Sequence, residues 1–350
     1  MMIQKIETET GHEEVVYGED PASGLKSIIA IHSTVLGPAL GGVRMWPYAS
    51  KEEALRDVLR LSRAMSYKAS VSGLDLGGGK AVIIGDPRSE KRPELLKAFG
   101  RFVASREGRY ITAKDVGTTT DDLEIIAQET KFVGGRSYAS GGSDDPSPMT
   151  AYGIYEGIKA TVRFKWQKES LKGLTFAIQG MGHVGYGLAK HLHQEGAGLV
   201  VCDIHPENAK RAETTLGATV VSPEKILDVE ADVFSPCALG GGIHAGMIER
   251  LKAPVIAGGA NNQLLDEMRD GDLLHDKNIL YAPDYVINAG GIINIFAELD
   301  GYQEEKARRK TAKIAETLTK IFEESRRENR STPRIALKIA EDRINNTKKN

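Results

Sequence analysis

Two lysines frame a glycine-rich passage that could carry out acid–base chemistry. Lys68 and Lys80 stand at its two ends, and Lys80 directly follows Gly77, Gly78 and Gly79. Glycine has no side chain, so a small ligand can approach the backbone there. Lysine is the side chain whose pKa falls most readily on burial, so one amine could hold an anion while the other takes a proton. The alternative is two surface lysines beside a tight turn.

Composition limits the kind of protein. The 350 residues are enough for two domains with separate cores, and the net charge is −2 with both signs interspersed. Interspersed charges of both signs do not form the basic stripe that a nucleic-acid-binding surface needs. No apolar run is long enough to cross a bilayer, and the N-terminus has no signal-peptide pattern. Cys202 and Cys237 lack metal-site spacing. We therefore expect a cytoplasmic protein with no metal, nucleic-acid or membrane partner.

Strand-like and helix-like segments alternate, which predicts an α/β fold of two domains. Residues 1–137 form the first domain, where short apolar strands alternate with amphipathic helices. The Ser-, Gly-, Asp- and Pro-rich stretch 138–148 predicts a loop and a hinge. The second domain, 138–328, has the alternation of a doubly wound parallel sheet. A final helix in 329–350 is expected to pack back on the first domain.

A dinucleotide-binding fingerprint opens the second domain's sheet. The strand Leu174–Ile178 runs into a Gly-x-Gly-x-x-Gly motif and then into a helix, which is the context that this motif requires. Its glycines would make a tight turn, admit the pyrophosphate and let helix and strand pack closely. Amides at the helix N-terminus would bind the phosphates. The residues expected to contact the cofactor here are Gly180, Gly182, His183, Val184 and Gly185.

A carboxylate at the end of the next strand favours NAD over NADP. Asp203 lies 203 − 180 = 23 residues after Gly180, close to the offset of about 20 expected for the acidic residue that binds the ribose. A carboxylate accepts hydrogen bonds from both ribose hydroxyls and repels a 2′-phosphate. The alternative is a cluster of turn glycines followed by an Asp that caps the next helix.

Several motifs, taken in order, resemble the glutamate, leucine, phenylalanine and valine dehydrogenase superfamily, and its leucine branch most. They span nearly the whole chain: Gly37–Arg44, Lys68–Lys80, Asp115–Thr118, Pro236–Gly241, Gly259–Asn262 and Asn288–Gly291. The resemblance implies reversible oxidative deamination of an L-amino acid to a 2-oxo acid and ammonia, with NAD as oxidant. It also implies a substrate and oligomerisation domain, a Rossmann-type NAD-binding domain, a cleft between them, and a dimer-based homo-oligomer such as an octamer.

The resemblance also assigns roles to individual residues. Lys68 would bind the substrate α-carboxylate with help from the backbone of Gly41 and Gly42. Lys80 would be the general base that activates water, and Asp115 would exchange protons with it. The other positions would contact the amino acid or the cofactor: Asn288, Thr150, Ala238 and Asn261. The alternatives are a simple turn for Gly41 and Gly42 and a strand-end cap for Asp115.

The resemblance places an apolar pocket around the substrate side chain. The glutamate branch has a lysine before the Gly-Gly pair and a serine further on, which hold the side-chain carboxylate; Leu40 and Ile295 stand at these positions here. Burying an unpaired carboxylate against them would be strongly unfavourable. With Ala113, Ile292 and Val286, the pocket suits leucine, isoleucine or valine. Leu40 and Ile295 could instead be ordinary core residues.

Two other functions stay open. The Gly-Gly-Gly before Lys80 is more usual in the aromatic branches, and the segment 340–346 is similar to tryptophan dehydrogenases. A phenylalanine or tryptophan dehydrogenase is therefore the first alternative. A non-catalytic NAD-binding sensor is the second, although a sensor has no need of the base Lys80.

Overall fold

The chain divides into two units in a computed structural model that describes residues 1–238, 242–299 and 301–348. Unit 1 contains Met1–Asp145, Ile295–Glu304 and the residues from Ala340 on. Unit 2 contains Pro146–Asn294 and Glu305–Ile339. The change from unit 1 to unit 2 after Asp145 falls within the predicted loop 138–148, rather than at its first residue.

Unit 1 begins with four consecutive strands, so the expected alternation of strands and helices starts only at the first helix. The elements are β1 (Met2–Lys5), β2 (Glu14–Asp20), β3 (Leu25–Ser33), β4 (Ala39–Trp46), α1 (Lys51–Val71), β5 (Gly77–Ile84), α2 (Pro93–Ala104), β6 (Tyr110–Lys114) and α3 (Thr120–Ile126). A short 3-10 helix, Tyr138–Ser140, lies near the end of the segment Met1–Asp145.

The sheet of unit 1 has the strand order β1-β2-β3-β5-β4-β6. The pairs β1–β2, β2–β3 and β3–β5 are antiparallel, whereas β4 runs parallel to both β5 and β6. The register pairs Leu40 with Gly78 on one side and Ile111 on the other. The segments around Leu40, Gly78 and Ile111, which are far apart in sequence, thereby lie side by side. The carboxyl ends of β4, β5 and β6 are at the same edge of the sheet.

Helices cover both faces of this sheet, which explains why β3 reads as a continuous apolar run. Ile29 and Ile31 pack in one cluster with the α2 residues Phe99 and Phe102. On the other face, Ile28 and Ala30 cluster with residues of α1, namely Ala54 and Val58. The sheet is therefore a buried platform, and its side chains are held by packing from both sides.

The glycine triplet before Lys80 lies inside β5, not in a turn before it. A Cβ at Gly78 would be 2.1 Å from the backbone nitrogen of Ser66 in α1. A Cβ at Gly79 would be 2.7 Å from the ring of Tyr110. The interpretation of these glycines as an opening for a ligand is wrong, because atoms of the protein itself fill the space. The triplet allows α1 and the ring of Tyr110, a residue of β6, to pack closely on β5.

Unit 2 alternates helices with short strands. Its elements are α4 (Ser147–Trp166), β7 (Thr175–Gln179), α5 (His183–Gln194), β8 (Gly198–Cys202), α6 (Pro206–Leu216), β9 (Thr219–Val220), β10 (Val233–Pro236), α7 (Ala245–Arg250), β11 (Val255–Ile256), α8 (Glu267–Asp276), β12 (Leu280–Tyr281), α9 (Asp284–Ile287), α10 (Gly290–Phe296), α11 (Glu304–Ala312), α12 (Ile314–Glu328) and α13 (Thr332–Lys348). The last residues of α10 and α13 belong to unit 1.

The sheet of unit 2 confirms the predicted doubly wound topology. All of its strands are parallel, in the order β12-β11-β10-β7-β8-β9. Read from β7, this is the 3-2-1-4-5-6 order of dinucleotide-binding sheets. The strand order reverses between β7 and β10, and ligands of such sheets bind outside the carboxyl ends of the strands at that reversal.

The end of α13 packs on α1. Ser70 Oγ donates to the carbonyl oxygen of Ala340 at 2.7 Å, and Arg343 donates to the carbonyl oxygens of Ser70 and Leu74. Within the described ranges, no helix has the length and apolar composition needed to span a membrane.

Candidate active site

Lys80 and Asp115 form an ion pair in unit 1. Lys80 Nζ lies 2.6 Å from Asp115 Oδ2, and the two side chains are 8% and 22% exposed. Lys80 is in β5 and Asp115 directly follows β6, with β4 between these two strands. The parallel register therefore brings together an amine and a carboxylate in a place largely withdrawn from water.

A second cation also binds Asp115. Arg44 Nε donates to the same oxygen, Oδ2, at 3.1 Å. Burial opposes ionisation of Asp115, but the charges of Lys80 and Arg44 outweigh it and lower the pKa of this carboxyl. Its backbone is fixed as well, because the Asp115 amide donates to Thr118 Oγ1 at 3.0 Å. Asp115 is thus an ionised, immobilised hydrogen-bond acceptor at neutral pH.

Gly41 and Gly42 lie within β4, not in a turn. A Cβ at Gly41 would be 1.7 Å from the carbonyl oxygen of Gly79, and one at Gly42 would be 2.5 Å from that of Lys114. The buried hydroxyl of Tyr110 donates to the carbonyl oxygen of Gly41 at 2.5 Å. No larger residue fits at either position, so a stretch of bare backbone passes beside the strands that carry Lys80 and Asp115.

The other substrate-side residues predicted in unit 1 are mostly buried. Leu40, Ala113 and Ile295 are 1%, 2% and 8% exposed. Ile295 packs on a glycine pair, because a Cβ at Gly134 would be 2.5 Å from its Cγ2. Lys68 is half-buried in the last turn of α1, the helix whose Ser66 covers Gly78.

An open pocket of about 420 Å³ borders Asp115 on the side of α3. It is lined by Lys114, Asp115, Thr118, Thr119, Thr120 and Asp121. Neither Lys80 nor the Gly41–Gly42 pair lines it, so we do not identify this pocket with the predicted substrate site.

The glycine fingerprint of unit 2 lies at the reversal point of the sheet. Gly180 follows β7 with a φ of 95°, and its Cβ would be 2.6 Å from the amide nitrogen of Ala238, which follows β10. A Cβ at Gly185 would be 2.0 Å from the carbonyl oxygen of Gly180. Gly180 must be glycine because its φ is positive, and Gly185 must be glycine because the helix packs tightly on the turn there.

Gly182 differs from the other two glycines because the space above it is open. A Cβ there would meet no atom within 4 Å, and α5 begins at the next residue, His183. Bare backbone beside a helix N-terminus is the arrangement that binds phosphate. The turn therefore fits the pyrophosphate of a dinucleotide, which Gly182, His183 and Val184 would contact through their backbone.

Asp203 is tied to the glycine-rich turn. Its Oδ2 accepts the amide of Met181 at 2.6 Å, and its Oδ1 accepts the amide of His205 at 2.8 Å. A carboxylate has about four lone-pair sites, so this side chain can still accept ribose hydroxyls. Asp203 also borders an open pocket of about 760 Å³ between α6 and the residues after β9.

Two asparagines of unit 2 are hydrogen-bonded to each other. Nδ2 of Asn288, at the end of α9, donates to Oδ1 of Asn261 at 2.8 Å. The adjoining Gly290 and Gly291 pack on the start of α4, where a Cβ at Gly291 would be 3.0 Å from Thr150 Oγ1. The predicted contacts Thr150, Asn261 and Asn288 are thus linked through one packed region. Ile292, in the same region, is 5% exposed.

Arg44 was not among the predicted site residues, although it belongs to the motif Gly37–Arg44. Arg44 lies two residues after Gly42 and so on the same face of β4, a signal that could have been used. From the motif Pro236–Gly241, the residues Leu239, Gly240 and Gly241 lie outside the described residues. Elsewhere, in the part of the chain that is described, no group of three or more His, Cys, Asp or Glu residues is arranged to hold a metal ion.

Comparison with known proteins identifies the family. Residues 12–132 match the family model described as Glu/Leu/Phe/Val dehydrogenase, dimerisation domain. Residues 141–205 and 201–341 match the model described as Glutamate/Leucine/Phenylalanine/Valine dehydrogenase. Together these matches cover most of both units.

Three relatives illustrate the similarity. The leucine dehydrogenase of Thermoactinomyces intermedius is 54% identical, over 95% of this chain and 91% of the relative. That of Geobacillus stearothermophilus is 53% identical, over 97% and 92%. The crystal structure of L-tryptophan dehydrogenase from Nostoc punctiforme has a TM-score of 0.86 and 47% identity, over 97% of this chain and 98% of that one. The chain therefore belongs to the Glu/Leu/Phe/Val dehydrogenase family and is an amino-acid dehydrogenase dependent on a pyridine nucleotide.

Proposed function

We propose that the protein catalyses reversible, NAD-dependent oxidative deamination of branched-chain L-amino acids to 2-oxo acids and ammonia. The observation that carries the proposal is the buried ion pair of Lys80 and Asp115, in the same unit as the buried apolar residues Leu40 and Ile295. The pair supplies acid–base chemistry, and the apolar residues offer no partner for a charged substrate side chain.

Each polar residue has a distinct part in the proposed reaction. Lys68, with the backbone of Gly41 and Gly42, binds the α-carboxylate. Lys80 first passes a proton to Asp115 across their 2.6 Å contact and then, as the neutral amine, takes a proton from the water that attacks the substrate imine. Asn288 orients the amino acid. When bound, a nicotinamide would supply the oxidising power, as the acceptor of hydride from the substrate α-carbon.

NAD is the proposed cofactor because of Asp203. Its carboxylate is fixed by two backbone amides, so it cannot easily turn away from a ribose. A 2′-phosphate at about 4 Å would be repelled by several kcal/mol at an intermediate dielectric. We assign the nucleotide contacts to unit 2, including Thr150, Ala238 and Asn261, and assign oligomerisation and most of the substrate contacts to unit 1. We also propose a dimer-based homo-oligomer, such as an octamer.

The preferred substrates are leucine, isoleucine and valine. Ala113 and Ile292 are proposed to complete the pocket with Leu40 and Ile295, and all four are aliphatic and buried. These three amino acids differ by about one methylene, which gives only about 1–3 kcal/mol of discrimination, so we expect all three to be accepted. The relatives named leucine dehydrogenase support this choice.

An aromatic substrate is the second candidate. It is favoured by the tryptophan dehydrogenase of Nostoc punctiforme, which is 48% identical over the full length of this chain. The deciding experiment is a panel of initial rates of NADH formation with leucine, isoleucine, valine, phenylalanine, tryptophan and glutamate. We expect kcat/KM to be highest for the three aliphatic substrates and lowest for glutamate. A preference for phenylalanine or tryptophan would replace the aliphatic assignment with the aromatic one.

A further inference from the structure

Arg44 joins two carboxylates that lie on different elements of unit 1. Its Nε donates to Asp115 Oδ2 at 3.1 Å, and its Nη1 donates to Asp57 Oδ2 at 2.9 Å. The Arg44 side chain is 23% exposed, and those of Asp115 and Asp57 are 22% and 18% exposed. The guanidinium is thus held from both ends in a mostly buried setting, and one end contacts the oxygen that also binds Lys80.

Asp57 is anchored independently of Arg44. Its Oδ2 accepts the hydroxyl of Tyr48 at 2.7 Å, and its Oδ1 accepts Nη2 of Arg60 at 3.1 Å. Asp57 lies on α1, the long helix that packs on the sheet through Val58 and Ala54. The position of Arg44 is therefore fixed by a helix, and through Arg44 that helix constrains Asp115.

The geometry suits arginine and no other cation. Guanidinium is planar, permanently charged and forked, so its Nε and Nη1 can serve two acceptors in fixed directions. A lysine ammonium is a single point that cannot bridge them in the same way. The bridge leaves Asp115 with two cationic donors on one oxygen, Lys80 from β5 and Arg44 from β4.

We propose that Arg44 is a positioning residue for the dehydrogenase reaction, holding Asp115 Oδ2 in place against Lys80, and that Asp57 positions Arg44 in turn. The inference rests on the proposed function, because it matters for catalysis only if Lys80 and Asp115 move protons. It adds a second layer to the site, running from α1 through β4 to the carboxylate that follows β6.

The charges around Arg44 fix the expected pH effect. The charged and titratable groups that contact it or its partners are Asp57 and Arg60 on α1, Tyr48 after β4, Lys80 on β5, and Asp115 after β6. Loss of one positive charge favours the protonated form of every group near it. The acid limb of the kcat/KM profile for deamination should therefore move to higher pH, whichever group governs it.

The test compares Arg44→Ala, Arg44→Lys and Asp57→Asn with Arg56→Gln as the matched control. Arg56 is exposed on the same helix, one residue before Asp57, so its loss removes a nearby charge and leaves the hydrogen bonds of Asp57 to Arg44, Tyr48 and Arg60 in place. For Arg44→Ala we expect kcat/KM with leucine to fall by about 100-fold and the acid limb to rise by about one pH unit. Arg44→Lys keeps the positive charge, so its acid limb should stay at the wild-type pH, but its kcat/KM should remain close to that of Arg44→Ala. Added guanidinium should restore part of the rate of Arg44→Ala only.

The outcomes separate this inference from the proposed function. Asp115→Asn is measured in parallel, and wild-type turnover in that variant would overturn both. Loss of turnover in Asp115→Asn, combined with wild-type rates and pH profiles in all Arg44 and Asp57 variants, would overturn the positioning role alone. An equal loss in Arg56→Gln would also overturn it, because the effect would then be one of general charge. If Arg44→Ala does not fold, Arg44→Lys and Asp57→Asn decide by the same readouts.

Discussion

At the scale of single residues, the most consequential feature is an amine and a carboxylate that share a largely buried site. The 2.6 Å contact of Lys80 with Asp115 is short enough for direct proton exchange, and the charges of Lys80 and Arg44 outweigh burial and lower the pKa of the carboxyl. A structural ion pair would have the same geometry. What distinguishes the two roles is the effect on turnover when the amine is removed and the fold is retained.

Replacing Lys80 should abolish catalysis without affecting nucleotide binding. We expect Lys80→Ala to lower kcat by about 10²–10⁴-fold, the usual contribution of a general base, while NADH titration by fluorescence gives an unchanged Kd. The matched control is Lys91→Ala, which breaks another partly buried ion pair of unit 1, with Asp122 at 2.7 Å. Retained turnover in Lys80→Ala, or an equal loss in the control, would contradict the assignment.

Asp203 offers a test of cofactor choice. Asp203→Asn keeps an oxygen acceptor for the Met181 amide but removes the charge, so we expect the preference of kcat/KM for NAD over NADP to fall by at least about tenfold. Asp232→Asn is the control, because Asp232 also accepts a backbone amide, that of Thr175, but at the amino end of β7. An unchanged preference in Asp203→Asn would count against a ribose contact.

At the scale of elements, α1 is attached to the sheet by polar as well as apolar contacts. His12 Nε2 lies 2.9 Å from Ser62 Oγ, and His32 Nδ1 lies 2.8 Å from Ser66 Oγ. The two imidazole rings are edge to face, with centroids 4.9 Å apart. Burial, followed by the charges of His12 and Arg63, lowers the pKa of His32 to about 4.

This histidine pair should make unit 1 sensitive to acid. The folded-state pKa of His32 lies below its unfolded value of about 6.5, so the unfolded chain binds more protons between these values. The contribution to stability is therefore complete above pH 6.5 and is lost as the pH falls toward 4. Discounted for partial exposure, we expect about 1 kcal/mol to be lost between pH 7.5 and 5.

The measurement is the urea midpoint of the wild type and of His32→Asn at both pH values. The variant should keep a hydrogen-bonding partner for Ser66 but lose the titrating ring, so its midpoint should fall less on acidification. His193→Asn, at an exposed histidine of α5, serves as the control and should behave as the wild type does. Equal acid sensitivity in all three proteins would show that His32 is not responsible.

Some structural features could be predicted from the sequence and others could not. The turn from β7 to α5 was predictable because its signal is local: a strand, three glycines and the start of a helix lie within a dozen residues. The burial of Gly78 under Ser66 was not, since it depends on which helix packs on β5. The break between α11 and α12 at Lys313 also has no local signal in the sequence, because no Gly or Pro stands near it.

The residues of the candidate site also differ in whether the sequence could predict them. Lys80 and Asp115 could be predicted because they belong to motifs that the family resemblance covers. The link from Arg44 to Asp57 spans two elements and is created only when α1 folds over β4. Interactions that one element makes with another carry no periodic signal in the sequence, so the residues that support a site are harder to predict than those that act in it.

At the scale of the whole molecule, the two sheets differ in strand topology. The mixed sheet of unit 1 places β4 between two parallel strands, and this gathers Lys80, Asp115 and the Gly41–Gly42 backbone. The parallel sheet of unit 2 places its glycine-rich turn at a reversal of strand order. In unit 2 the glycine-rich turn lies at the carboxyl ends of the strands, where parallel sheets generally bind ligands, whereas in unit 1 Lys80 and the Gly41–Gly42 pair lie within their strands and only Asp115 follows a strand end.

The assembly is the last property to test. Residues 12–132 match a family model described as a dimerisation domain, and closed symmetric homo-oligomers built on dimers are the commonest kind. We expect light scattering coupled to size exclusion to give a mass that is an even multiple of the chain mass, unchanged in Lys80→Ala. Because the proposed interface lies in unit 1 and not at the nucleotide turn, adding NADH should not alter this mass. A monomer at every concentration measured would refute the proposed oligomer while leaving the assigned reaction intact.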